Sequence, residues 1–253
     1  MGTFQRRIVI AHRPHAAAGD PVAAGGRARA ALEDDFHHFR IDLRHDGERV
    51  QQLDALAIRH PYSLCPWAAE PLQQLVGMPL DKLANAVTRR TEASQQCTHL
   101  LDLAGLAIAA AANGRALRRY EIAVPDRVDG VTRPTLDRDG QPLLQWQLHQ
   151  TTITGPDPYT GIALQHGFAR WALQTLSADD AEAALVLRRG AMISLGRMRN
   201  LDALRHAEAT GRCHVQQPQR AALALRMVGS THDFSARSGE LCSADAGWLD
   251  FRD

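Results

Sequence analysis

The stretch between residues 65 and 114 constrains the fold most, because it marks two helix starts with cysteines and ends in a long apolar run. Cys65 precedes Pro66, which fits the first position of a helix, where a missing N–H costs no hydrogen bond. Cys97 stands just before the apolar run, and Gly114 follows it as the left-handed residue that ends many helices. The pattern predicts three helices, over residues 65–76, 79–90 and 94–113.

Residues that alternate between hydrophobic and charged types flank this stretch and predict strands. Residues 36–44 alternate in this way, and residues 50–58 form the returning strand. Between them Asp46-Gly47 supplies a turn, because glycine accepts a positive φ without steric cost. A second Asp-Gly pair at Asp139-Gly140 predicts another hairpin, and helical spacing returns after Thr160.

These elements predict an α+β fold with an antiparallel N-terminal sheet packed by helices, a second β-hairpin and a helical C-terminal half. Residues 1–31 are rich in Ala, Gly and Pro, which suggests an N-terminal arm. Gly155-Pro-Asp-Pro158 is the clearest loop of the chain. We therefore expect an α+β domain over residues 32–155, carrying both cysteines named above, and a mainly helical region over residues 156–253.

The composition excludes several classes of partner. The chain has 253 residues and a formal charge of +1, so neither nucleic acid nor an anionic membrane is an expected partner. Its four cysteines are too widely spaced for a disulfide scaffold and form no CxxC pair. The most apolar run, residues 100–112, is too short to cross a bilayer. The sequence therefore predicts a cytoplasmic protein with reduced thiols.

A thiol in the first turn of a helix lies near unpaired N–H groups and the positive end of the helix dipole, which lower its pKa. Cys97 is therefore the candidate nucleophile or metal ligand, with His99 as a proton carrier. Cys65 or His60 would support it, and Cys213, which also has a histidine neighbour, is a further candidate for the same cleft. Cysteines are also common apolar fillers of protein cores, and that alternative stays open.

The 12 histidines form neither an HExxH motif nor an HxH pair, so no known metal-binding motif assigns them as ligands. His37 and His38 are expected on a strand with their rings on opposite faces, one in a cleft and one solvated. Arg188 and Arg189 belong to a group of arginines that could bind the carboxylate or phosphate of a cofactor. Solvated helix faces are the favoured interpretation of these arginines.

Three short motifs carry a resemblance to a known family: Cys65-Pro-x-Ala, Leu75-Val-Gly77 and Gln96-Cys97-Thr-His-Leu100. Over most of residues 36–235 the sequence resembles a family of bacterial proteins that share a domain of unknown function and a Cys-Pro and Cys-Thr-His-Leu signature. The resemblance implies a role in the catabolism of aromatic or other ring-bearing acids, in some members through coenzyme A thioesters.

A more remote resemblance is to the NifU-like and SufE-like iron–sulfur scaffold proteins. The order of elements is similar: a strand meander is followed by two cysteines that each open a helix. Cys65 and Cys97 would correspond to the middle and last cysteines of the scaffold. The chain departs from that pattern at Asp46-Gly47, where the scaffolds carry their first cysteine. Because a cluster normally takes four ligands, the resemblance implies the fold more than cluster assembly.

Three functional hypotheses follow. The first is an enzyme of small-molecule catabolism in which Cys97 and its neighbours catalyse acyl transfer or carbon–carbon cleavage on an aromatic or coenzyme A-linked acid, with coenzyme A as the implied cofactor. The second is a metal-binding or iron–sulfur protein with Cys65, Cys97 and either His99 or His60 as ligands. The third is a non-catalytic accessory protein whose cysteines pack in the core. A small-molecule substrate is the expected partner, and assembly into a homo-oligomer stays open.

Overall fold

The computed structural model describes residues 2–14 and 25–252. Its strands are β1 (Thr3–Pro14), β2 (Gly26–Asp34), β3 (His38–His45), β4 (Val50–Arg59), β5 (Leu117–Pro125), β6 (Val131–Thr132), β7 (Thr135–Arg138), β8 (Gln141–Gln145), β9 (Gln147–His149) and β10 (Thr152–Gly155). Its α-helices are α1 (Ala69–Leu72), α2 (Thr98–Ala112), α3 (Phe168–Thr175), α4 (Ala178–Ile193), α5 (Pro218–Ala221) and α6 (Ala246–Leu249). Short 3-10 turns connect several of them.

Seven strands form one antiparallel sheet in the order β4-β3-β2-β1-β5-β7-β8, and a smaller sheet has the order β10-β9-β6. The β3–β4 hairpin turns at Gly47, whose φ is 100°, and the β7–β8 hairpin turns at Asp139 and Gly140, with φ values of 54° and 79°. Positive φ at these positions is the reason for the glycines. The predicted α+β fold and both predicted hairpins are confirmed.

The chain divides into two compact units, each of which is discontinuous in sequence. Unit 1 comprises Met1–Arg7, Arg119–Asn200 and Asp233–Leu241, and unit 2 comprises Ile8–Arg118, Leu201–His232 and Cys242–Asp253. Neither of the predicted boundaries, at residues 31 and 155, falls between the units.

The N-terminal region forms strands rather than the predicted arm. Strands β1 and β2 occupy inner positions of the seven-stranded sheet, while residues 15–24 of that region lie outside the described residues. Ala28, Ala30 and Ala31 of β2 are fully buried; α2 packs on this strand, and Ala31 belongs to an apolar group with Leu249 of α6. The alanines reflect close packing between a helix and a sheet, so their abundance was a misleading sign of a flexible segment.

The helices near the cysteines agree only partly with the predictions. Helix α2 begins directly after Cys97, and Gly114 follows it with a φ of 63°, so the third predicted helix is confirmed. The first predicted helix is instead divided into the 3-10 turns Cys65–Ala68 and Gln73–Leu75 on either side of α1. Pro71 lies inside α1 and has no N–H to continue the helical ladder, which explains the interruption.

In unit 1, α4 packs against α3 and contacts strands β7 and β8. Ser177 caps α4, since its Oγ accepts a hydrogen bond from the N–H of Asp180 at 3.2 Å. Trp146 is buried between Tyr159 and Phe168, with ring centroids 5.2 and 5.7 Å away. None of the helices formed by residues 2–14 and 25–252 has the length and apolar character that crossing a bilayer requires.

In unit 2, residues 218–228 are less helical than the predicted helical region over residues 156–253 implies. Helix α5 covers Pro218–Ala221 and is followed by a turn, after which Leu225 and Arg226 form bridges to His206 and Tyr62. These backbone pairings compete with the helical hydrogen bonds that the apolar spacing suggested.

Candidate functional site

A tight turn between β2 and β3 positions Asp34 and His37. The Asp34 side chain is fully buried, and its Oδ1 accepts hydrogen bonds from the backbone N–H groups of Phe36 and His37 at 2.7 and 2.8 Å. The same oxygen lies 3.0 Å from Nδ1 of His37. The carboxylate that shapes the turn therefore also orients the imidazole.

Arg59, at the end of β4, holds this turn from the other side. Its Nη2 donates to the carbonyl oxygens of Asp34 and His37 at 2.5 and 3.3 Å. Its Nη1 donates to the carbonyl oxygens of Asp35 and Ser230 at 3.0 and 3.1 Å. One guanidinium group thus donates to four carbonyl groups, three of them in the turn, and this fixes the position of the turn.

His99 reaches the turn from the first turn of α2. Its ring lies 3.9 Å from the ring of His37, centroid to centroid, with 32° between the planes. Asp34, His37 and His99 are 0%, 8% and 6% exposed, and one potential ligand atom from each lies within 4.8 Å of the others. We call these three residues the Asp–His–His cluster. Within residues 2–14 and 25–252 it is the one group of three such ligands at this spacing.

The spacing suits a single metal ion. Imidazole nitrogens and carboxylate oxygens bind transition metals at about 2.0–2.2 Å, so ligand atoms of one ion lie within about 4.4 Å of one another. The Asp–His–His cluster reaches this spacing with a contraction of a few tenths of an ångström. Buried polar groups of this kind are held by hydrogen bonds, by charge pairs or by metal coordination.

Three of the four cysteines form a second group near the start of α2, which we call the thiol cluster: Cys65, Cys97 and Cys213. Cys97 is the residue that caps α2, and Cys65 opens a 3-10 turn. The N–H of His214 donates to the carbonyl oxygen of Gln96 at 2.9 Å, which brings the peptide groups beside Cys97 and Cys213 together. Cys213 also packs against the apolar group that contains Cys65. The two predicted cysteines therefore share a neighbour.

The pKa of both candidate thiols is raised. Burial, followed by the nearby Cys213, raises the pKa of Cys97 to about 12, although backbone N–H groups of Leu100 and His99 act to lower it. Burial also raises the pKa of Cys65 well above its usual value, and Cys97 adds to this effect. The predicted lowering of the pKa is therefore wrong for both cysteines, because removing water from the sulfur outweighs the helix terminus.

His60 is half-buried, with Nδ1 2.9 Å from the carbonyl oxygen of Tyr62. Burial lowers its pKa and the charge of His37 lowers it further, while the contact with Tyr62 acts in the opposite direction. The structure thus brings all four predicted catalytic residues, Cys97, His99, Cys65 and His60, into unit 2. It places His99 in the Asp–His–His cluster, with His60 interacting with the same cluster, and the two cysteines in the thiol cluster.

His38 is buried as well, which corrects the expectation that one of the two neighbouring histidines is solvated. His37 precedes β3 and lies in the turn, so the two rings do not alternate as they would along a strand. Nε2 of His38 lies 2.9 Å from Oδ2 of Asp245, and Nε of Arg40 donates to Oδ1 of the same carboxylate at 2.5 Å. Each of the two histidines therefore has its own carboxylate.

Arg188 and Arg189, the candidate cofactor ligands, lie in α4 of unit 1. The guanidinium of Arg188 donates to the carbonyl oxygens of Leu164 and Gln165 at 2.5 and 3.1 Å and lies over the ring of Phe168. These contacts give Arg188 a structural role in holding a loop. Arg189 is a half-buried residue of the same helix.

Sequence reasoning missed Asp34 as a candidate and gave His37 no defined role. The signal that could have found them is the spacing of an aspartate and a histidine three residues later, immediately after a strand. In an Asx turn the aspartate side chain accepts the N–H groups two and three residues ahead, so it lies against that histidine. The contact with His99 depends on tertiary packing and has no signal in the local sequence.

Residues 18–113 match a family model. Its description is "Protein of unknown function (DUF2889)". The matched range covers less than half of the chain and contains the whole Asp–His–His cluster together with Cys65 and Cys97, which supports the predicted likeness to a family of unknown function. Comparisons with curated proteins and with solved structures give no match. The resemblance to iron–sulfur scaffold proteins stays a prediction.

Proposed function

We propose that the protein is a metal-dependent enzyme that binds one divalent transition-metal ion through Asp34, His37 and His99. The observation that carries this proposal is the convergence of a carboxylate and two imidazoles, all buried, with ligand atoms within 4.8 Å of one another. Two histidines and one carboxylate are a ligand set that suits Fe²⁺ and Zn²⁺ in proteins.

A ligand set of three protein residues favours catalysis over a purely structural role. Structural zinc sites are closed by four protein ligands, whereas catalytic sites keep positions for water or substrate. A small acid, the class of substrate that the family resemblance implies, offers carboxylate oxygens for such positions. Bound there, the ion would act as a Lewis acid on the substrate or lower the pKa of a bound water.

The protein contributes the geometry of the ligands. Asp34 holds the turn through two backbone N–H groups, and its Oδ1 lies 3.0 Å from Nδ1 of His37, where a bound ion would take the place of the proton between these two atoms. Arg59 fixes the carbonyl side of the same turn. His99 is positioned by α2, which packs on β2 and β3. Ligands held in this way need little rearrangement to bind an ion, and that increases affinity.

The hypothesis of thiol-dependent acyl transfer has weaker support. With a pKa of about 12, only on the order of one Cys97 side chain in 10⁵ is a thiolate at pH 7. The thiolate is the nucleophilic form of cysteine, so this fraction would limit the rate severely. Metal binding by the Asp–His–His cluster does not depend on a thiolate, because neutral histidine carries a lone pair for a metal ion.

Metal titration of the purified protein tests the binding step. The chelator-treated full-length chain is dialysed against Zn²⁺, Co²⁺ or, without oxygen, Fe²⁺, and bound metal is measured by mass spectrometry. We expect about one ion per chain for the wild type and its loss in His37→Ala and His99→Ala. His166→Ala is the matched control, since His166 is exposed and lies in unit 1. Equal binding by the wild type and both cluster variants would contradict the proposal.

A substrate screen tests the catalytic step. The metal-loaded protein is incubated with aromatic acids and their coenzyme A thioesters, and products are followed by chromatography. Turnover that needs added metal and is lost in His99→Ala supports the enzyme proposal. Turnover that persists in His99→Ala but is lost in Cys97→Ser would contradict the proposal and identify Cys97 as the catalytic group.

A further inference from the structure

The loop that carries Cys213 is bound to the segment just before α2. Nε2 of Gln217 donates to the carbonyl oxygen of Ser94 at 2.6 Å. Nη2 of Arg220 donates to Oε1 of Gln95 at 3.1 Å. Gln217 and Arg220 follow Cys213 in the chain, and their hydrogen bonds hold the loop in place. The surroundings of the Cys213 sulfur are therefore well defined.

One backbone hydrogen bond then brings Cys213 next to Cys97. The N–H of His214 donates to the carbonyl oxygen of Gln96 at 2.9 Å. The donor peptide group joins Cys213 to His214, and the acceptor peptide group joins Gln96 to Cys97. The Cα atom of Cys213 is thus attached to the donor peptide group, and the Cα atom of Cys97 is attached to the acceptor peptide group. This places them in or near the separation of roughly 4–7 Å that a disulfide spans.

The exposure of the sulfur-bearing residues differs within the thiol cluster. Cys65 and Cys97 are 6% and 9% exposed, whereas Cys213 is half-buried and is therefore the first that a small reagent from solvent meets. The fourth cysteine, Cys242, packs with a separate apolar group that contains Val9 and Ala11. It therefore serves as an internal reference.

We infer that Cys97 and Cys213 form a reversible disulfide when the protein meets hydrogen peroxide, which makes the thiol cluster a redox modification site. The inference is independent of the proposed metal site, because it rests on the packing of the loop against the start of α2. The bond would tie this loop covalently to the residue that opens the helix.

The reaction has two balanced steps. The sulfur of Cys213 attacks one oxygen of the peroxide, the O–O bond breaks, and one water leaves with the thiol proton, so that a sulfenic acid forms. Cys97, after losing its proton, then attacks the sulfenic sulfur, an S–S bond replaces the S–O bond, and the hydroxyl group leaves with that proton as a second water. The attack is intramolecular, so a small fraction of thiolate is enough for this step. The two thiols lose two electrons in total, which reduce one peroxide to two waters. A dithiol reductant reverses the change.

Mass spectrometry of the oxidised full-length protein tests the inference. Wild-type protein is treated with hydrogen peroxide, its remaining thiols are blocked, and it is digested without reduction. We expect one main cross-linked product that joins the peptides of Cys97 and Cys213. Of the four thiols, two should disappear and return after treatment with dithiothreitol. The wild-type readout does not depend on whether any variant folds.

Variants identify the partner. Cys65→Ser and Cys242→Ser should keep the cross-link, and Cys97→Ser should lose it and accumulate the sulfenic or sulfinic acid of Cys213. A main product that joins Cys65 to either other cysteine would overturn the assignment. So would wild-type protein in which Cys213 is oxidised without a cross-link, or in which all the thiols survive the treatment.

Discussion

The first turn of α2 belongs to two groups of opposite chemical character. Cys97, which caps the helix, lies in the thiol cluster, and His99, two residues later, lies in the Asp–His–His cluster. Apolar surroundings keep the thiol protonated, whereas the histidine lies beside His37, which the carboxylate of Asp34 orients. Proximity to a helix terminus is therefore not enough to activate a side chain. The polar partners and the remaining water decide what the group can do.

The largest expected effect comes from removing the carboxylate of the Asp–His–His cluster. Asp34→Ala should lower the free energy of unfolding by about 3 kcal/mol, because two buried N–H groups lose their acceptor. Asp34→Asn should cost less, since an amide oxygen can still accept from Phe36 and His37. Urea denaturation of the three proteins measures both differences.

Asp46 provides the matched control for this prediction. Its Oδ1 accepts the N–H groups of Glu48 and Arg49 at 2.9 and 2.7 Å, which is the same local motif as at Asp34 but in an exposed turn. Asp46→Ala should therefore destabilise the protein far less than Asp34→Ala, because water can replace the carboxylate. Equal losses would show that burial is not what distinguishes the two turns.

Asp245 and His38 form the second buried pair of a carboxylate and an imidazole, and the stability that this pair contributes should depend on pH. Burial acts to raise the pKa of Asp245, but the hydrogen bond and charge of His38, together with those of Arg40, lower it overall. A lowered pKa means stabilisation that is present above pH of about 4 and is lost as the pH falls through the folded-state pKa. Asp245→Asn should cost about 2–3 kcal/mol at pH 7.

Unfolding free energies measured from pH 7 to pH 2 check this prediction. The difference between the wild type and Asp245→Asn should shrink as the pH falls below about 4, where the carboxylate of the wild type is protonated. A difference that stays constant down to pH 2 would mean that the charge of Asp245 contributes nothing to the fold.

The raised pKa of Cys97 should make the reactivity of this thiol depend on pH in the alkaline range. With a pKa of about 12, Cys97 should react with iodoacetamide at a rate that rises about tenfold per pH unit without a plateau up to pH 10. Peptide mass spectrometry gives the rate for each cysteine, and the half-buried Cys213 provides the comparison in the same sample. A rate that reaches a plateau below pH 9 would show that Cys97 has a lowered pKa and is an activated thiol.

The smallest expected effect concerns His60, which senses the charge of His37. Its pKa lies below 6.5, chiefly because of burial. His37→Gln removes one charge from its surroundings and should raise the pKa of His60. Ring resonances followed by NMR between pH 4 and pH 8 give the value. An unchanged pKa of His60 would show that the charge of His37 has no effect on this residue.

Much of the fold could be predicted from local chemistry. The Asp46-Gly47 and Asp139-Gly140 turns and the start of α2 after Cys97 are each decided by a few neighbouring residues. The prediction failed where tertiary packing overrides composition. Strand β2 is alanine-rich because a helix packs closely on it, and Gly105 of α2 shows the same constraint, since a Cβ there would lie 2.1 Å from the carbonyl oxygen of Ala84.

The candidate site was predicted in part. His99 was identified from its position beside Cys97, but its partner was taken to be a thiol. The true neighbour, His37, is 62 residues away in sequence and belongs to a turn that only the pairing of β2 with β3 creates. A pKa depends on the water that packing removes, so the raised pKa of Cys97 could not be predicted from a helix boundary alone.

X-ray absorption spectroscopy of the zinc- or cobalt-loaded protein tests the central claim most directly, because it distinguishes nitrogen and oxygen ligands from sulfur. We expect the ion to be surrounded by nitrogen and oxygen atoms at about 2.0–2.1 Å, with the scattering pattern of two imidazole rings. That pattern should be lost in His99→Ala and kept in Cys97→Ser. A sulfur shell at about 2.3 Å in the wild type would instead place the ion on the thiol cluster and contradict the assignment.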